Sequence, residues 1–499
     1  MPVFAKMVCA IGVIACVLCV GFLGVSAQYD PFDNCPYKEC FCDDNGSIDC
    51  DGLSLNSVPQ RIPQPNISFF TLNFDRNQIT RIPAGSLPPN LNTISLQDNP
   101  LETIDDAAFD ESVNTLQTLT IAGAKFTQVP AAVCRLRKLW NLNLYSVNIL
   151  TWDNDNMKNL CPSLLSFQLS TDGVTTWPPW LKSCSNLTDI AITSSGISSV
   201  PDDALDLVVN KLQYLQLINN SLPSVPKAVS KLTALNILSL EENKITDVSW
   251  LPQLSNLTVL TMNENRVSDA KKLSAALRFY AESLNKFTIY DNFLTSIPDV
   301  PFLTKVYSLD YSNNHISDPY SGAIPENLGE LILRLNFLKT IPPVMKTMKS
   351  LMECDLSYNR VLSIQGTDFP STVTGVDLGN NIITELTDTS FPVSFNITYL
   401  LLSNNPITRI SLQAFKNLPL LQQLDLSHTK LTRVPLSIGF LTTLTYIDMS
   451  DSNGLVCTCL EHSLESRIST LGSENVVGDC GQTSIYVFFT ELSHDCPLS

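Results

Sequence analysis

Histidine is scarce in this chain. Only His315, His428, His462 and His494 occur in 499 residues, and none has zinc-protease spacing. No Gly-x-Ser-x-Gly elbow, P-loop or dinucleotide fingerprint is present. The usual signatures of catalysis are therefore missing, and no enzyme, cofactor or metal site is expected. Positive charge is also short: 31 Lys and Arg stand against 48 Asp and Glu, a formal net charge of −17. Phosphate backbones are held by Lys and Arg, so this balance argues against nucleic acid as a partner and disfavours anionic membranes. Glycine (19) and proline (30) are too few for a fibrous chain. Beyond residue 25 the C-terminal apolar run is only residues 485–489, which argues against a membrane span or lipid-anchor signal there.

What is present starts with a leader. Lys6 precedes the apolar run 7–25, small residues Val25-Ser26-Ala27 follow, and polar Gln28 comes next. This reads as a cleaved secretory signal over 1–27. An uncleaved anchor is the alternative, because 19 apolar residues nearly span a bilayer. Either way residues 28–499 enter an oxidising space, secreted or extracellular, where the 12 remaining cysteines of the total of 15 are expected as disulfides rather than metal ligands. Six Asn-x-Ser/Thr sequons agree with a glycosylated surface: Asn45, Asn66, Asn186, Asn219, Asn256 and Asn396.

Self-similarity decides the architecture. Leu235, Leu238, Leu240, Asn243 and Ile245 occupy places 1, 4, 6, 9 and 11 of a template. It recurs from residues 69, 91, 116, 139, 164, 187, 212, 235, 257, 284, 306, 328, 351, 373, 397, 421 and 444, giving 17 units with a mean period of about 23 residues. Places 4 and 6 alternate with polar neighbours, which predicts a short strand buried on one face. Stacked units pair those strands into a parallel sheet around a continuous core. Place 9 is Asn in 11 units, from Asn77 to Asn405, where an amide can bond backbone groups of adjacent turns. The return arc carries pairs such as Ile82-Pro83 and Val434-Pro435, suited to extended, donor-poor chain. The long unit from 257 holds an insert, 269–282, with helical spacing; a convex-side helix capped by Ser268 is expected.

A stacked solenoid exposes core at both ends, and the cysteines lie where covers are needed. Cys35, Cys40, Cys42 and Cys50 precede the first unit, and Cys457, Cys459, Cys480 and Cys496 follow the last. Four cysteines allow three pairings at each end. The run 50–63, Cys-Asp-Gly-Leu-Ser-Leu-Asn-Ser-Val-Pro-Gln-Arg-Ile-Pro, resembles the N-terminal cap of extracellular leucine-rich-repeat proteins, such as slit-type guidance proteins, Toll-like receptors and lamprey variable lymphocyte receptors. Residues 453–460 are similar to their C-terminal cap, departing from it in Gly454, where proline is usual, and in lacking a nearby tryptophan. The irregular unit lengths are similar to receptor-like ectodomains of plants and oomycetes. The resemblance implies bridges Cys35–Cys42, Cys40–Cys50, Cys457–Cys480 and Cys459–Cys496. It also implies an α/β solenoid: a right-handed curved horseshoe with a parallel sheet on the concave face and irregular, 3₁₀ or short helical chain on the convex face. The divisions are 1–27 signal, 28–68 N-terminal cap, 69–454 repeats and 455–499 C-terminal cap.

Units three to six break the pattern. Place 9 is Ala124, Val147, Asp172 and Ser195, and Trp140, Trp152, Trp177 and Trp180 all fall here. Cys161 and Cys184 each sit three residues before their unit's first leucine. Neighbouring strands lie about 4.8 Å apart, within disulfide reach, so a Cys161–Cys184 bridge is expected. Cys134 fits that register less well, and Cys354 at place 4 is expected as a buried, inert thiol. The block is either drift patched by a covalent staple or a change of curvature that shapes a site.

Places 3, 5, 7 and 8 are expected to face the concave side. They hold 15 acidic residues against Arg76, Lys286 and Arg334. Asp310, Asp355, Asp377, Asp425 and Asp448 share place 5. Solubility explains such a face; steering of a basic partner also explains it. Calcium is disfavoured, because a strand ladder wraps a cation poorly. Candidate anchors form two groups. One is Tyr214, Ile218, Ile237, Val259 and Tyr290, with Glu241, Glu242, Glu264, Asp291 and Asp310. The other is Ile332, Leu335, Tyr358, Tyr399 and Leu401, with Arg334, Glu353, Asp355 and Asp377. The function read from this is a secreted recognition protein that binds a protein or peptide, basic or polar, on its concave face as a soluble receptor, decoy or inhibitor. An ectodomain signalling through a membrane-anchored partner and a structural matrix or cell-wall component are the alternatives.

Overall fold

The computed structural model describes residues 35–62, 68–393 and 395–496. The leader and Asn66 lie outside these residues. Among the described residues the dominant element is one 20-stranded sheet. Each of the 17 units contributes one coil and one strand, and the strands pair in parallel with the template in register, as in Leu238 opposite Leu260 and Leu331 opposite Cys354. Alternation buries places 4 and 6: Leu238, Leu240, Leu260 and Met262 are all sealed from solvent. Each such side chain stabilises the stack by roughly 1.5–3 kcal/mol. They join one core that runs from cap to cap.

The place-9 asparagines bind coil to coil. Asn265 Nδ2 donates to the Leu240 carbonyl of the preceding coil at 2.8 Å and to Met262 and Asn263 of its own, while Oδ1 accepts from Ile245 N–H at 2.9 Å. Asn336, Asn359, Asn381 and Asn405 repeat the scheme. Each amide draws the chain out of the sheet directly after its strand, so most asparagine coils have strands of three residues, such as Ile237–Ser239 and Glu353–Asp355. The turn has a second device. Place 8 is left-handed in every coil but one, with φ of 53° at Glu242, 56° at Leu335 and 54° at Tyr358; the exception is Thr171.

Coils three to six follow different rules. Without the amide their strands run on, over Thr118–Ala122, Asn141–Val147, Ser166–Thr171 and Asp189–Thr193. Behind them Trp180 is fully buried, its ring 5.1 Å from Phe167 and 6.2 Å from Trp152. Cys161 and Cys184 are bridged between adjacent coils. Trp140 differs from its neighbours in lying exposed.

The convex arc is made of short turns started by proline: Lys227–Lys231 follows Pro226, Pro343–Thr347 follows Pro342, and Leu436–Phe440 follows Pro435. The insert forms a helix over Ala270–Leu277. Its cap corrects the expectation from sequence: Asp269, not Ser268, accepts from Lys272 N–H at 2.9 Å, one residue further on. A carboxylate at that place also favours the positive end of the helix.

Both caps extend the sheet rather than merely covering it. Strand Phe41–Cys42 pairs antiparallel with Ser47–Asp49, which pairs parallel with the first coil. At the other end Val476–Val477 adds to the last coil's strand Tyr446–Asp448. The four bridges implied by the caps are present as implied. Glu461 is almost fully buried, accepts from Thr458 N–H at 3.0 Å and pairs with Arg433 of the penultimate coil, so an ion pair ties the C-terminal cap to the repeats. Cys134 and Cys354 are free and buried, and burial holds both thiols well above their ordinary pKa, Cys134 at about 11. Low thiolate content makes both inert, as expected for Cys354.

Candidate binding surface

The sheet's in-register pairing places the solvent-facing residues in rows. Along the place-3 row, Asp189, Tyr214, Ile237, Val259 and Lys286 stand side by side on five successive strands. Tyr214, Ile237 and Val259 thus form one apolar strip, half-buried or exposed. At the strand exits beside it lie Glu241, Glu242, Glu264, Tyr290 and Asp291. Burial raises the Glu264 carboxyl above its ordinary pKa, and Glu242, Asp291 and Glu241 add to the shift. Burial raises Asp291 as well. Glu264 is thus repelled by the acids around it. The strip lies at place 3 and the acids at places 7 and 8 of neighbouring coils, with the buried Ser239 and Thr261 of place 5 between them.

The second group is also brought together, with a different internal logic. In the place-3 row, Glu330, Glu353, Gly375 and Tyr399 are neighbours. Gly375 is needed there: a methyl group in its place would collide with the Tyr399 ring, which lies across it. The ring reaches two strands over and hydrogen-bonds Glu353; burial and Glu353 keep the phenol protonated. In the place-5 row, Asp310, Ile332, Asp355, Asp377, Leu401, Asp425 and Asp448 succeed one another. Burial raises the Asp377 carboxyl to about 7, with Asp355 adding to the shift and Arg334 opposing it. Burial likewise raises Asp310.

The place-5 aspartates have a local task that the sequence reading missed. Asp310 accepts from Ser312 N–H at 2.9 Å and its hydroxyl at 2.5 Å, and Asp355 does the same with Ser357 at 2.8 and 2.6 Å. Asp377 accepts from Gly379 N–H, Asp425 from Ser427 N–H and Asp448 from Ser450, each at 2.8 Å. One oxygen of each carboxylate thus braces the turn two residues on. The signal was legible as a recurring Asp-x-Ser or Asp-x-Gly. Arg334, Leu335 and Tyr358 stand at the strand exits, where the chain turns left-handed, and the Arg334 guanidinium lies 4.9 Å from the Tyr358 ring centre. They rim the sheet rather than floor it.

Among the described residues no group of three or more His, Cys, Asp or Glu could hold a metal ion, and no helix is long and apolar enough to cross a membrane. The described sequons vary in access. Asn45, Asn219, Asn256 and Asn396 are exposed, whereas Asn186 is half-buried, donating to the Pro162 carbonyl at 3.0 Å and accepting from Lys211.

Comparison with known proteins agrees with this architecture. The leucine rich repeat family model matches residues 185–245, 371–431 and 395–455. Podocan-like protein 1 of Homo sapiens is 26% identical over 437 residues, covering 83% of this chain and 77% of that protein. Podocan of Mus musculus is 28% identical and covers 81% of this chain and 62% of its own length. A transforming growth factor beta activator of Danio rerio is 26% identical over 76% of this chain and 57% of its own. Among solved structures, a leucine-rich-repeat protein of Leptospira interrogans superposes with a TM-score of 0.58 at 19% identity, covering 80% of this chain and 95% of that one. A Toll–Spatzle complex from Drosophila contains a chain that superposes with a TM-score of 0.51 at 16% identity, over 77% of this chain and 51% of that one. The chain is a leucine-rich-repeat solenoid protein, closed at both ends by disulfide-bonded cysteine caps.

Proposed function

We propose that this is a secreted recognition protein that takes a basic protein or peptide segment on its concave face, as a soluble receptor, decoy or inhibitor. The observation that carries the reading is the in-register strip Tyr214, Ile237 and Val259 beside mutually repelling Glu241, Glu242 and Glu264. Apolar area supplies affinity and the carboxylates select charge, the division of labour found in protein interfaces. A cation brought to Glu264 relieves repulsion already present in the free chain. The second group offers the outward oxygens of the adjacent Asp355 and Asp377, flanked by Ile332 on one side and Leu401 on the other. Five disulfides and exposed sequons support passage through an oxidising, glycosylating compartment. One relative's name describes an activator of a growth factor, and one structural neighbour is a chain of the Toll–Spatzle complex, which favours a protein as the ligand.

The test is anisotropy of a labelled peptide alternating lysine and leucine, against its glutamate counterpart, at low and high salt. The basic peptide is expected to bind, more weakly as salt rises. Ile237→Ala and Glu264→Lys together should weaken it roughly tenfold or more. Equal binding of both peptides, or binding untouched by those substitutions, rejects the assignment.

A further inference from the structure

Place 10 of each coil lies where the chain has left the sheet, on one lateral edge of the solenoid. No acidic residue occupies it in any of the 17 coils. In four consecutive coils, from the one starting at residue 284, it holds Phe293, His315, Phe337 and Arg360. These stack on one another in the open. The Phe293 and His315 rings are 5.1 Å apart, His315 and Phe337 are 5.7 Å apart and nearly parallel at 13°, and the Arg360 guanidinium sits 4.7 Å from the Phe337 ring centre. Phe293 is 44% exposed and Phe337 37%. Leu335 and Tyr358 stand beside them, exposed by 41% and 44%.

Three further observations say what this ridge is for. First, Leu335 and Tyr358 hold left-handed backbones, a conformation costly for side chains of their kind, where flanking coils use Asn313, Asn380 and Asn404. Second, sequons Asn186, Asn256 and Asn396 each immediately precede their coil's first aliphatic residue, which is the opposite lateral edge. Asn219 is on the ridge's own edge but four coils from His315, roughly 20 Å away at strand spacing. Third, one pair of opposite charges flanks His315 along the edge, although the outer place-10 pair, Arg266 and Arg360, is alike in sign. Asp291 stands at the exit of the preceding coil and Arg334 at the exit of the following one.

We propose that this edge is a self-complementary interface for a second copy of the chain, with a twofold axis through His315. An isologous contact needs a surface that matches itself after rotation. Here the rotation lays Phe293 of one copy against Phe337 of the other, His315 on His315, and Asp291 opposite Arg334 at both ends. Arg360 meets the coil carrying Glu264, where Arg266 also stands, so the pair of Asp291 and Arg334 carries the charge match. The concave floor stays open in such a dimer, and two ligand surfaces are presented together.

Sedimentation velocity on the full glycosylated chain over a wide micromolar range tests this. A concentration-dependent dimer is expected. Phe337→Asp should raise its dissociation constant roughly tenfold or more while leaving the melting temperature unchanged. Asp291→Arg or Arg334→Asp alone should weaken it, and both in one chain should restore it. His315→Thr completes an Asn313-x-Thr sequon, so a glycan at the axis should leave the chain monomeric. A wild-type chain that stays monomeric throughout, or a dimer indifferent to Phe337→Asp and to the new glycan, overturns the proposal. Asp291 and Arg334 also belong to the candidate binding groups, whereas Phe337 and the new glycan do not, so peptide anisotropy on those last two variants reads the concave floor separately and either assignment can fail alone.

Discussion

Coils three to six and coils eight to seventeen solve the same stacking problem in two ways. In the later coils the buried amide at place 9, present in most of them, satisfies backbone groups at the strand exit, and the sheet is a ribbon only three residues wide. In the earlier block the amide is gone and the strands carry their backbone bonds further, up to seven residues in Asn141–Val147. The block then needs other support, and it has it in the Trp152, Phe167 and Trp180 cluster and the Cys161–Cys184 bridge. The solvent faces differ too. Over coils three to six, places 3, 5 and 7 hold Thr, Asn, Ser, Gln, Ala and Tyr, with Asp189 as their charge. The later coils hold the acids. The difference teaches that a block of coils without the amide can be carried by longer strands and by covalent and aromatic buttressing, whereas the last two coils, with Thr429 and Ser452 at place 9, keep three-residue strands and bond those hydroxyls to each other at 3.0 Å.

That contrast can be broken at its heaviest element. Trp180→Ala removes the centre of the aromatic buttress and should cost about 3–5 kcal/mol by thermal or denaturant unfolding. A loss under about 1 kcal/mol would show the cluster to be incidental. Opening the staple with Cys161→Ser and Cys184→Ser comes next. The bridge closes a loop of 23 residues, for which chain entropy gives about 3 kcal/mol, and the loss should appear as earlier proteolysis within 116–211. The ladder is tested by Asn265→Ala, which strands buried backbone partners and should cost about 2–3 kcal/mol. Ser195→Ala, at the same place in the block, should cost about 1 kcal/mol or less, because Ser195 donates only to its neighbour Thr193. Equal effects would erase the distinction between the two regions.

The smallest effect sharpens the electrostatic half of the comparison. The folded chain holds the Asp377 proton up to about pH 7, well above an unfolded aspartate, because the site is buried and Asp355 is beside it. Folding therefore takes up a proton between those two values, and the stability this group lends grows as pH falls from about 7 towards 4. Above pH 7 its charge is a burden. Asp377→Asn should raise the melting temperature slightly at pH 8 and flatten its dependence between pH 5 and 7. Affinity for a basic peptide should fall over the same acid range as the face loses charge.

The period, the strands, the buried places and the Cys161–Cys184 bridge were legible in residues repeated at fixed spacing; the four cap bridges came only from the family resemblance, because four cysteines at each end allow three pairings. The insert helix was legible to within one residue, the cap passing from Ser268 to Asp269. The candidate anchors were legible as types and as two groups on one face, but not in their contacts. That Tyr214, Ile237 and Val259 make a strip depends on strand register, and that Tyr399 turns aside to Glu353 depends on the space above Gly375. The place-10 row escaped the sequence reading altogether, because it lies outside the alternation that marks a strand, and a lone Phe or His in a loop carries no pattern.

What the residues determined by themselves is local and repetitive: an aliphatic side chain every second place buries, an amide at place 9 satisfies backbone groups at the strand exit, and cysteines at the ends close the stack. What only the assembled solenoid decided is lateral. Residues some 22 to 27 apart in the chain become neighbours about 5 Å apart when coils pile up, so charge crowding at Glu264, the proton on Asp377 and the stack through His315 exist only once the coils are in register. Sequence sets the content of each coil, and the fixed spacing between coils turns that content into surfaces.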